Sequence, residues 1–409
     1  MYLIRFLHFN LVVLLFLLLS CSKHDTINHQ SLEKADLLIS TALDDSLFTG
    51  AVLLVGSSDG ILHEKAFGYA TLYDSTLSRI PVPEVMTTEH LFDLASLTKV
   101  LATTYALMVL HSRGAFEVDD PVSQYIPEFK TDDKEQIVIE QLLRHTSGLI
   151  PWYPSYYVAD SAEERLEWIA DYSLNSNPGE NRSYSDFGFM VLGDLVESLS
   201  GKSLDQYLVY DVYRPIGLRS TLFNPDTTSF PKIVSTSHGN PFEKKMVHED
   251  DFGYTIDIDP NIWKKWRTHT LKGEVNDGNA WYTHGGVAGH AGLFSNVSEI
   301  FTFLHVLLNN GMVNGRQIIN PETIKLFLTA DQNGQALGWM MNDSWIHGEN
   351  IPENSFGHTG FTGTNLVVSP ETDRLFILLT NRQHLGPDST GSYPNIRLLR
   401  EDLSEILLN

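Results

Sequence analysis

The sequence is short of cysteine and of positive charge. Its 409 residues include one cysteine, Cys21, so no disulfide can form within the chain. Lys and Arg total 28 against 51 Asp and Glu, which gives a formal net charge of -23. Such a surface repels the phosphate backbone of nucleic acids and argues against a polynucleotide partner. The sequence also shows no internal repeats and no low-complexity segment, which argues against a repeat architecture.

The N-terminus carries an unbroken apolar run over residues 11–19, after a basic residue at Arg5. The run is too short to span a bilayer as a helix and is typical of a signal-peptide core. It ends in "LLSC", which resembles a bacterial lipobox and predicts a signal peptide over 1–21, with Cys21 lipidated. A simple secretory peptide or an uncleaved anchor is the alternative. We expect a lipid-anchored protein of the bacterial cell envelope, with a polar tether over 22–30.

The remaining sequence places strand signals at both ends of the chain. "GAVLLVG" and "ILHEKAFGYA" flank the turn-rich "SSDG", which predicts a β-hairpin. Near the C-terminus "SFGHTGFTGTNLVVS", a turn at "PETD" and "RLFILLTN" predict further strands, followed by a last helix over 394–408. Ser31 is the predicted cap of a first helix that runs through Asp44.

Helical and loop-rich sequence fills the middle of the chain, over about 97–335. The strands of the two ends are therefore expected to pair in one antiparallel sheet with helices on its faces. The predicted class is α+β, with one domain over 31–409 and a mostly helical subdomain inserted between the terminal strands.

One candidate for chemistry is Ser96, which stands three residues before Lys99 in "SLTKVLATTYALMVLHSRG", a helix-forming run with a stop at Gly114. Positions i and i+3 share a face of a helix, so the hydroxyl and the amine are expected to be neighbours. A buried amine loses proton affinity and can act as a base. The alternative is an N-cap serine followed by a solvated lysine, and three other serine–lysine pairs share the spacing.

Two further segments carry polar residues in unusual places. "NPGENRSYSDFGFMVLGDLVE" puts Tyr184 and Asp186 just ahead of an apolar helix. "FGHTGFTGT" puts His358, Thr359 and Gly360 inside a predicted strand. Glycine weakens a strand interior unless another backbone or a ligand must approach closely, so this triplet indicates a binding edge.

With the serine-x-x-lysine motif, the tyrosine loop and the glycine strand in this order, the sequence resembles the serine β-lactamase and penicillin-binding-protein superfamily, on its class C and DD-peptidase/esterase side. "LLRHTSGL", "RPIGLRSTLF", "GGVAGHAGLFSNVSEI" and "ALGWMM" are similar to further family segments, so the resemblance covers nearly the whole mature chain. It implies an antiparallel sheet flanked by helices, with an all-helical subdomain. It also implies a cell-envelope serine hydrolase that acts on D-Ala-D-Ala-type peptidoglycan stem peptides or related amides and esters, without a metal or other cofactor.

The resemblance also implies roles for individual residues. Ser96 corresponds to the acylated nucleophile, Lys99 helps to deprotonate it, and Tyr184 is the second acid/base that carries the proton to the leaving group. The backbone N–H groups of Ser96 and Phe361 correspond to the oxyanion hole. The alternative for Tyr184 is a packed aromatic side chain.

The glycine strand has a role in the same scheme. His358 and Thr359 correspond to residues that orient a substrate carboxylate or donate into the proton network, and Gly360 completes the triplet. The alternative for His358 is a strand histidine that faces solvent.

Two positions depart from the family pattern. Asp186 stands where β-lactamases and peptidases usually have asparagine, and a carboxylate lacks the amide donor. It could pair with Lys99, keep that amine charged and shift the role of base to Tyr184, or it could select a substrate with a positive group. His358 replaces the lysine of many β-lactamases and holds a carboxylate less strongly when neutral. Both departures predict weak or no β-lactamase activity.

Several weaker features remain open. Trp152 and Tyr153 could wall a substrate cleft or only anchor a loop. His284 and His290 lie in a glycine-rich segment with Asp277, but their spacing matches no metal site, and they are expected to brace backbone beside the cleft. The rival hypothesis from another class is a non-catalytic envelope protein that binds peptidoglycan or antibiotics; a metallohydrolase is a distant third.

Overall fold

The computed structural model describes residues 27–341 and 348–409. The helices are α1 (His29–Asp44), α2 (Tyr105–Ser112), α3 (Ile139–Leu143), α4 (Ala162–Asp171), α5 (Asp186–Ser200), α6 (Leu204–Tyr207), α7 (Pro241–His248), α8 (Val297–Leu308), α9 (Pro321–Phe327) and α10 (Arg397–Leu408). The strands are β1 (Gly50–Ser57), β2 (Gly60–Tyr73), β3 (Arg79–Val85), β4 (Phe92–Asp93), β5 (Leu222–Phe223), β6 (Ser235–His238), β7 (Thr270–Lys272), β8 (Leu293–Ser295), β9 (Met312–Val313), β10 (Arg316–Gln317), β11 (Met340–Met341), β12 (Phe356–Gly360), β13 (Thr364–Ser369) and β14 (Arg374–Thr380). The predicted signal peptide and Cys21 lie outside the described residues. Within those residues no helix combines the length and the apolar character needed to cross a bilayer.

A seven-stranded antiparallel sheet joins the two ends of the chain, in the order β11-β12-β13-β14-β1-β2-β3. The N-terminal hairpin pairs β1 with β2, and β1 pairs on its other side with β14, where Ala51 lies opposite Thr380. The predicted union of terminal strands in one sheet, and with it the α+β class, is confirmed.

The side chains of β1 alternate between two hydrophobic cores. Ala51, Leu53 and Val55 pack in the core that α1 and α10 cover, whereas Val52 and Leu54 pack in the core that contains α8. All five are fully buried. An antiparallel strand covered on both faces needs no polar alternation, which explains the unbroken apolar run "GAVLLVG". Burial of each of the larger aliphatic side chains contributes about 1.5–3 kcal/mol.

The insertion between β3 and β11 is mostly helical but contains three small sheets, β4-β8-β5, β6-β7 and β9-β10. The helix predicted after Ser96 begins at Leu97, is π-helical over Lys99–Thr104 and continues as α2. It ends before Gly114, whose φ of +71° provides the predicted stop. The short β4 delivers the chain to Ser96, so this insertion positions the candidate nucleophile against the main sheet.

The first helix starts earlier than the sequence predicted. α1 begins at His29, and its cap is Asn28, whose Oδ1 accepts the backbone N–H of Ser31 at 2.8 Å. Ser31 is therefore a residue of the first turn, and His29 and Gln30 belong to the helix rather than to the predicted tether. Both asparagine and serine are good caps, and the apolar spacing alone did not distinguish them.

The C-terminal region also differs in detail from its prediction. The single strand expected over 355–369 is a hairpin of β12 and β13, because the chain reverses between Gly360 and Thr364. Gly363, with φ of +104°, supplies the left-handed residue of that turn. The last helix begins at Arg397 rather than at residue 394. The reversal places the end of β12 beside the turn that carries Ser96.

Candidate active site

Ser96 lies in a tight turn between β4 and the following helix. Ala95, the residue before it, has φ of +46°, a left-handed conformation that is rare for a residue with a Cβ atom. Lys99 is fully buried, and its Nζ donates a hydrogen bond to Oγ of Ser96 at 3.1 Å. The structure thus brings the two residues of the motif together as the helical spacing predicted, and a solvated lysine is excluded.

The ammonium group of Lys99 also contacts a carboxylate and a backbone carbonyl. Its Nζ lies 2.7 Å from Oδ1 of Asp186 and donates to the backbone carbonyl of His290 at 3.1 Å. Burial alone lowers the pKa of Lys99, but the Asp186 carboxylate and Tyr184 outweigh it and hold this pKa above its ordinary value. Lys99 is therefore an ammonium in the resting site. Of the two roles open to Asp186, the geometry favours the pairing with Lys99.

Tyr184 stands over the same ammonium, whose Nζ is 5.0 Å from the centre of its ring. Desolvation raises the pKa of the Tyr184 phenol, Lys99 opposes that shift, and Asp186 adds to it. The resting phenol is therefore protonated, and Lys99 lowers the free-energy cost of forming the phenolate. Tyr184 is a neighbour of the serine and the lysine, rather than an aromatic packed away from them.

His145 packs against the loop that carries Tyr184 and hydrogen-bonds its backbone. The His145 ring lies 4.5 Å from the ring of Tyr184, and its Nδ1 accepts the backbone N–H of Ser185 at 3.0 Å. Burial, and then the charge of Lys99, lowers the pKa of His145 well below its usual value, so this imidazole is neutral. Ser185 in turn caps α5, because its hydroxyl accepts the N–H of Gly188.

The end of β12 passes directly over the serine turn. A Cβ atom on Gly360 would lie 2.4 Å from the carbonyl oxygen of Leu94, which explains why glycine is needed at this strand position. His358 is 1% exposed, so it does not face bulk solvent; its Nδ1 lies 2.8 Å from the carbonyl of Thr359. Phe361 follows at the turn and is 40% exposed.

Two cavities meet at Ser96. The larger, about 810 Å³, is lined among the described residues by the His358–Phe361 segment and by three arginines, Arg182, Arg382 and Arg400. The smaller, about 230 Å³, is lined by the acidic residues Asp186, Glu243 and Asp277. Ser96 and Tyr184 border both cavities. The cleft therefore carries basic side chains on one side of Ser96 and acidic side chains on the other.

Trp152 and Tyr153, the two aromatic residues considered for the cleft wall, lie in different environments. Trp152 lines the smaller cavity, where its ring stacks on Tyr254 at 5.9 Å. Tyr153 is not among the described residues that line either cavity; its ring packs 4.8 Å from that of Trp168. Neighbours in sequence point in different directions on this loop, so of the two alternatives left open by the sequence, the geometry favours the loop anchor for Tyr153.

The histidine-rich segment braces Lys99. Nε2 of His290 lies 2.9 Å from Oδ1 of Asp277, within hydrogen-bond distance. The backbone carbonyl of the same histidine accepts a hydrogen bond from Nζ of Lys99. Desolvation lowers the pKa of His284 well below its ordinary value. Across the described residues no cluster of three or more His, Cys, Asp or Glu side chains is arranged to hold a metal ion.

Three residues that shape this site were not predicted from the sequence: Asp93, His145 and Arg382. Arg382 donates through Nε and Nη2 to the carbonyl of Phe361, at 3.1 and 2.7 Å, and so fixes the turn after the glycine strand. Asp93 and His145 lie within segments that resemble the family, "LFDLASLTKV" and "LLRHTSGL", which was the only available signal. Their contacts are long-range and could not be deduced from spacing.

Comparisons with known proteins agree with this geometry. A family model described as Beta-lactamase matches residues 35–401. The "N-acetylmuramyl-L-alanine amidase" of Bacillus subtilis (strain 168) is 36% identical over 388 residues, 90% of this chain and 84% of the relative. The "Putative D-alanyl-D-alanine carboxypeptidase" of Escherichia coli (strain K12) is 35% identical over 391 residues, 90% of this chain and 86% of the relative. The crystal structure of a penicillin-binding protein homologue from Caulobacter crescentus superposes with a TM-score of 0.68 at 16% identity, over 93% of this chain and 98% of that chain.

A sheet built from both chain ends, with a serine–lysine–tyrosine cluster at its edge in which the lysine is buried, defines the class of serine hydrolases that includes β-lactamases and penicillin-binding proteins. The match over residues 35–401 and the two relatives above 30% identity are specific: this chain belongs to the Beta-lactamase family and is one of its serine hydrolases.

Proposed function

We propose that this protein hydrolyses amide or ester bonds of D-Ala-D-Ala-type peptides, or of related small amides and esters, through an acyl-enzyme on Ser96. The observation that carries the proposal is the single cluster in which the Lys99 ammonium contacts Ser96, with Tyr184 alongside and a large cavity open in front.

The charge states support a proton route through Tyr184. Lys99 is an ammonium and donates to Oγ of Ser96, so it cannot accept the serine proton in the resting state. The Tyr184 phenol first loses its own proton to solvent, and the phenolate, stabilised by Lys99, takes the serine proton as Oγ attacks the substrate carbonyl carbon. The phenol then gives this proton to the leaving amine or alkoxide as the carbon–nitrogen or carbon–oxygen bond breaks. Water, deprotonated in the same way, releases the acyl group and regenerates Ser96.

The oxyanion that forms on the substrate needs two donors. The N–H groups of Ser96 and Phe361 fit this role, because the turn of Ser96 and the end of β12 lie in contact at Gly360. Loss of one such donor typically costs about 3–4 kcal/mol of transition-state stabilisation. Arg382 supports the proposal by holding the Phe361 carbonyl, which belongs to the peptide unit that follows this N–H group.

Two observations support the substrate class. The amidase and the carboxypeptidase to which this chain is similar are both named for amide bonds of the kind found in peptidoglycan. The larger cavity carries Arg182 and Arg382 beside His358, a setting that favours a carboxylate such as the free C-terminus of a stem peptide. The substitution of lysine by His358 supports weak or no β-lactamase activity.

A substrate panel tests the proposal. Purified protein is incubated with stem pentapeptide, D-amino-acid amides, p-nitrophenyl esters and nitrocefin, in parallel with Ser96→Ala. The expected result is turnover of peptide, amide or ester that disappears in Ser96→Ala, with little on nitrocefin. Tight stem-peptide binding without turnover, equal in both proteins, would instead favour the non-catalytic binding protein.

We also propose that the protein is a lipoprotein of the cell envelope, on the apolar run at residues 11–19 and Cys21. Metabolic labelling of producing cells with a fatty-acid analogue checks it. The native chain is expected to incorporate label and Cys21→Ala is not; equal labelling of both contradicts the proposal.

A further inference from the structure

The turn that presents Ser96 depends on a buried carboxylate two residues upstream of the strained position. Ala95 pays a steric penalty for its φ of +46° and needs a compensating contact. Its backbone N–H donates to Oδ1 of Asp93 at 2.9 Å in a buried environment. This hydrogen bond closes the turn and sets the direction of the next peptide unit, which carries the N–H of Ser96.

The second carboxylate oxygen of Asp93 holds a different part of the site. Oδ2 accepts the backbone N–H of Asn276 at 2.6 Å. Asn276 is adjacent to Asp277, which contacts the His290 ring, and the His290 carbonyl accepts from Lys99. One carboxylate thereby links the serine turn to the segment that positions the lysine.

The backbone of Asp93 adds a third link. Its carbonyl oxygen accepts the hydroxyl of Thr362 at 2.8 Å, and Thr362 directly follows Phe361. The side chain of Asp93 is almost fully buried, so water cannot replace either of its N–H donors. The turn of Ser96, the segment after Phe361 and the Asn276–Asp277 segment, which contacts the His290 ring, therefore meet at this one residue.

We propose that ionised Asp93 is a positioning residue for acylation, which holds the Ser96 turn and the Asn276 segment in register by accepting both N–H groups. The inference rests on the proposed acyl-enzyme function. Asp93 does not touch the reacting atoms. A protonated carboxyl group retains one good acceptor oxygen and turns the other into a donor, so it can hold only one of the two amides.

The surroundings of Asp93 make its ionisation sensitive to pH. Burial raises the pKa of Asp93 to about 6, although the N–H groups of Asn276 and Ala95 oppose the shift; the Asp277 carboxylate raises it further and Arg267 lowers it. The carboxylate is present above about pH 6 and is lost as the pH falls through that value. Acylation of Ser96 is expected to fall with it.

The variant Asp93→Asn tests the inference, because an amide keeps the shape but can accept only one of the two N–H groups. The rate of Ser96 labelling by a fluorophosphonate probe is measured from pH 4.5 to 8.5. We expect labelling about 10- to 100-fold slower at pH 7.5, the scale of a small misplacement of reacting groups, and no inflection near pH 6. An unchanged rate, or an inflection that persists in Asp93→Asn, overturns the inference.

Asp194→Asn is the matched control. Desolvation also raises the pKa of Asp194 to about 6, but its partner is Arg165, at 2.8 Å, rather than the serine turn. We expect this variant to lose thermal stability and to keep the inflection of the native protein near pH 6. If Asp194→Asn also lost the inflection, the inflection would report destabilisation of the whole protein by acid rather than ionisation of Asp93, and the inference would be overturned. Native protein that is never labelled at Ser96 would overturn the proposed function together with it.

A second pair of variants separates positioning from simple misfolding. Ala95→Gly removes the Cβ penalty at φ of +46°, so the turn depends less on Asp93. The loss caused by Asp93→Asn is expected to be several-fold smaller in the Ala95→Gly background. If the two substitutions lower the labelling rate by independent factors, the inference is contradicted. The double variant also provides a test if Asp93→Asn alone folds poorly.

Discussion

The Nζ atom of Lys99 lies 2.7 Å from Oδ1 of Asp186, at the position where family members usually have asparagine. This ion pair holds the lysine as an ammonium beside Ser96. A neutral lysine base would need the opposite environment. In the proposed mechanism, Tyr184 is therefore the group that takes the serine proton.

The pH profile of Asp186→Asn tests this division of labour. Asp186 raises the pKa of Lys99 and also that of Tyr184. Its removal lowers both, so the rise of the acylation rate with pH is expected to lie at a lower pH than in the native protein. Stopped-flow acylation with a p-nitrophenyl ester between pH 6 and 10 measures the shift of this rise. A rise at unchanged pH, or one that moves to higher pH, would show that Asp186 does not set these ionisations.

The same pair has a consequence for stability. Lys99→Met leaves the Asp186 carboxylate without its counter-ion and is expected to lower the free energy of unfolding by about 3 kcal/mol, the low end for a broken buried pair because Asp186 is partly exposed. Lys99→Met combined with Asp186→Asn removes both charges and is expected to recover much of the loss. Urea denaturation of the single and double variants provides the comparison; equal stability of the two would contradict the coupling.

Gly360 offers a test of the contact between β12 and the serine turn. In Gly360→Ala the new Cβ would meet the Leu94 carbonyl at 2.4 Å, so the strand must shift away from Ser96. We expect acylation to fall about 100-fold and stability to fall by about 1–3 kcal/mol. Gly188→Ala in α5 is the control, since outside the backbone of its own helix the new Cβ atom would meet no atom closer than 3.7 Å. Similar losses of acylation in both variants would contradict a specific role for the contact between Gly360 and the serine turn.

Substitutions of Trp152 and Tyr153 are expected to affect different properties, substrate binding and stability respectively. Trp152→Ala is expected to raise KM several-fold with a smaller effect on kcat, because the ring lines the smaller cavity without touching the reacting atoms. Tyr153→Ala is expected to lower the melting temperature and leave KM near its native value, because its ring packs on Trp168. Steady-state kinetics and thermal unfolding of the two variants check this. A larger KM change in Tyr153→Ala would reverse the assignment.

The sequence predicted the fold where local patterns decide it. "GAVLLVG" and "RLFILLTN" have the length and residue types of strands, and their apolar character on both faces requires covering helices. The boundaries of α1 and the β12–β13 hairpin were wrong or incomplete. Those features depend on which of several capping or turn residues has its partner in place, which local sequence does not determine.

The candidate site was predictable only in part. Ser96 and Lys99 are one helical turn apart, so their contact follows from helix geometry. The ion pair with Asp186 was one of two alternatives, because its formation depends on how two distant segments pack. The links made by Asp93 to Asn276 and Thr362 join residues 183 and 269 positions apart, and no periodicity encodes them.

Mass spectrometry of the protein after incubation with a fluorophosphonate probe or a fluorescent penicillin tests the acyl-enzyme most directly. The predicted result is a single covalent adduct with at least one probe, mapped by peptide sequencing to Ser96 and absent in Ser96→Ala. No adduct with either probe, or an adduct that persists unchanged in Ser96→Ala, would contradict the assignment of Ser96 as the nucleophile.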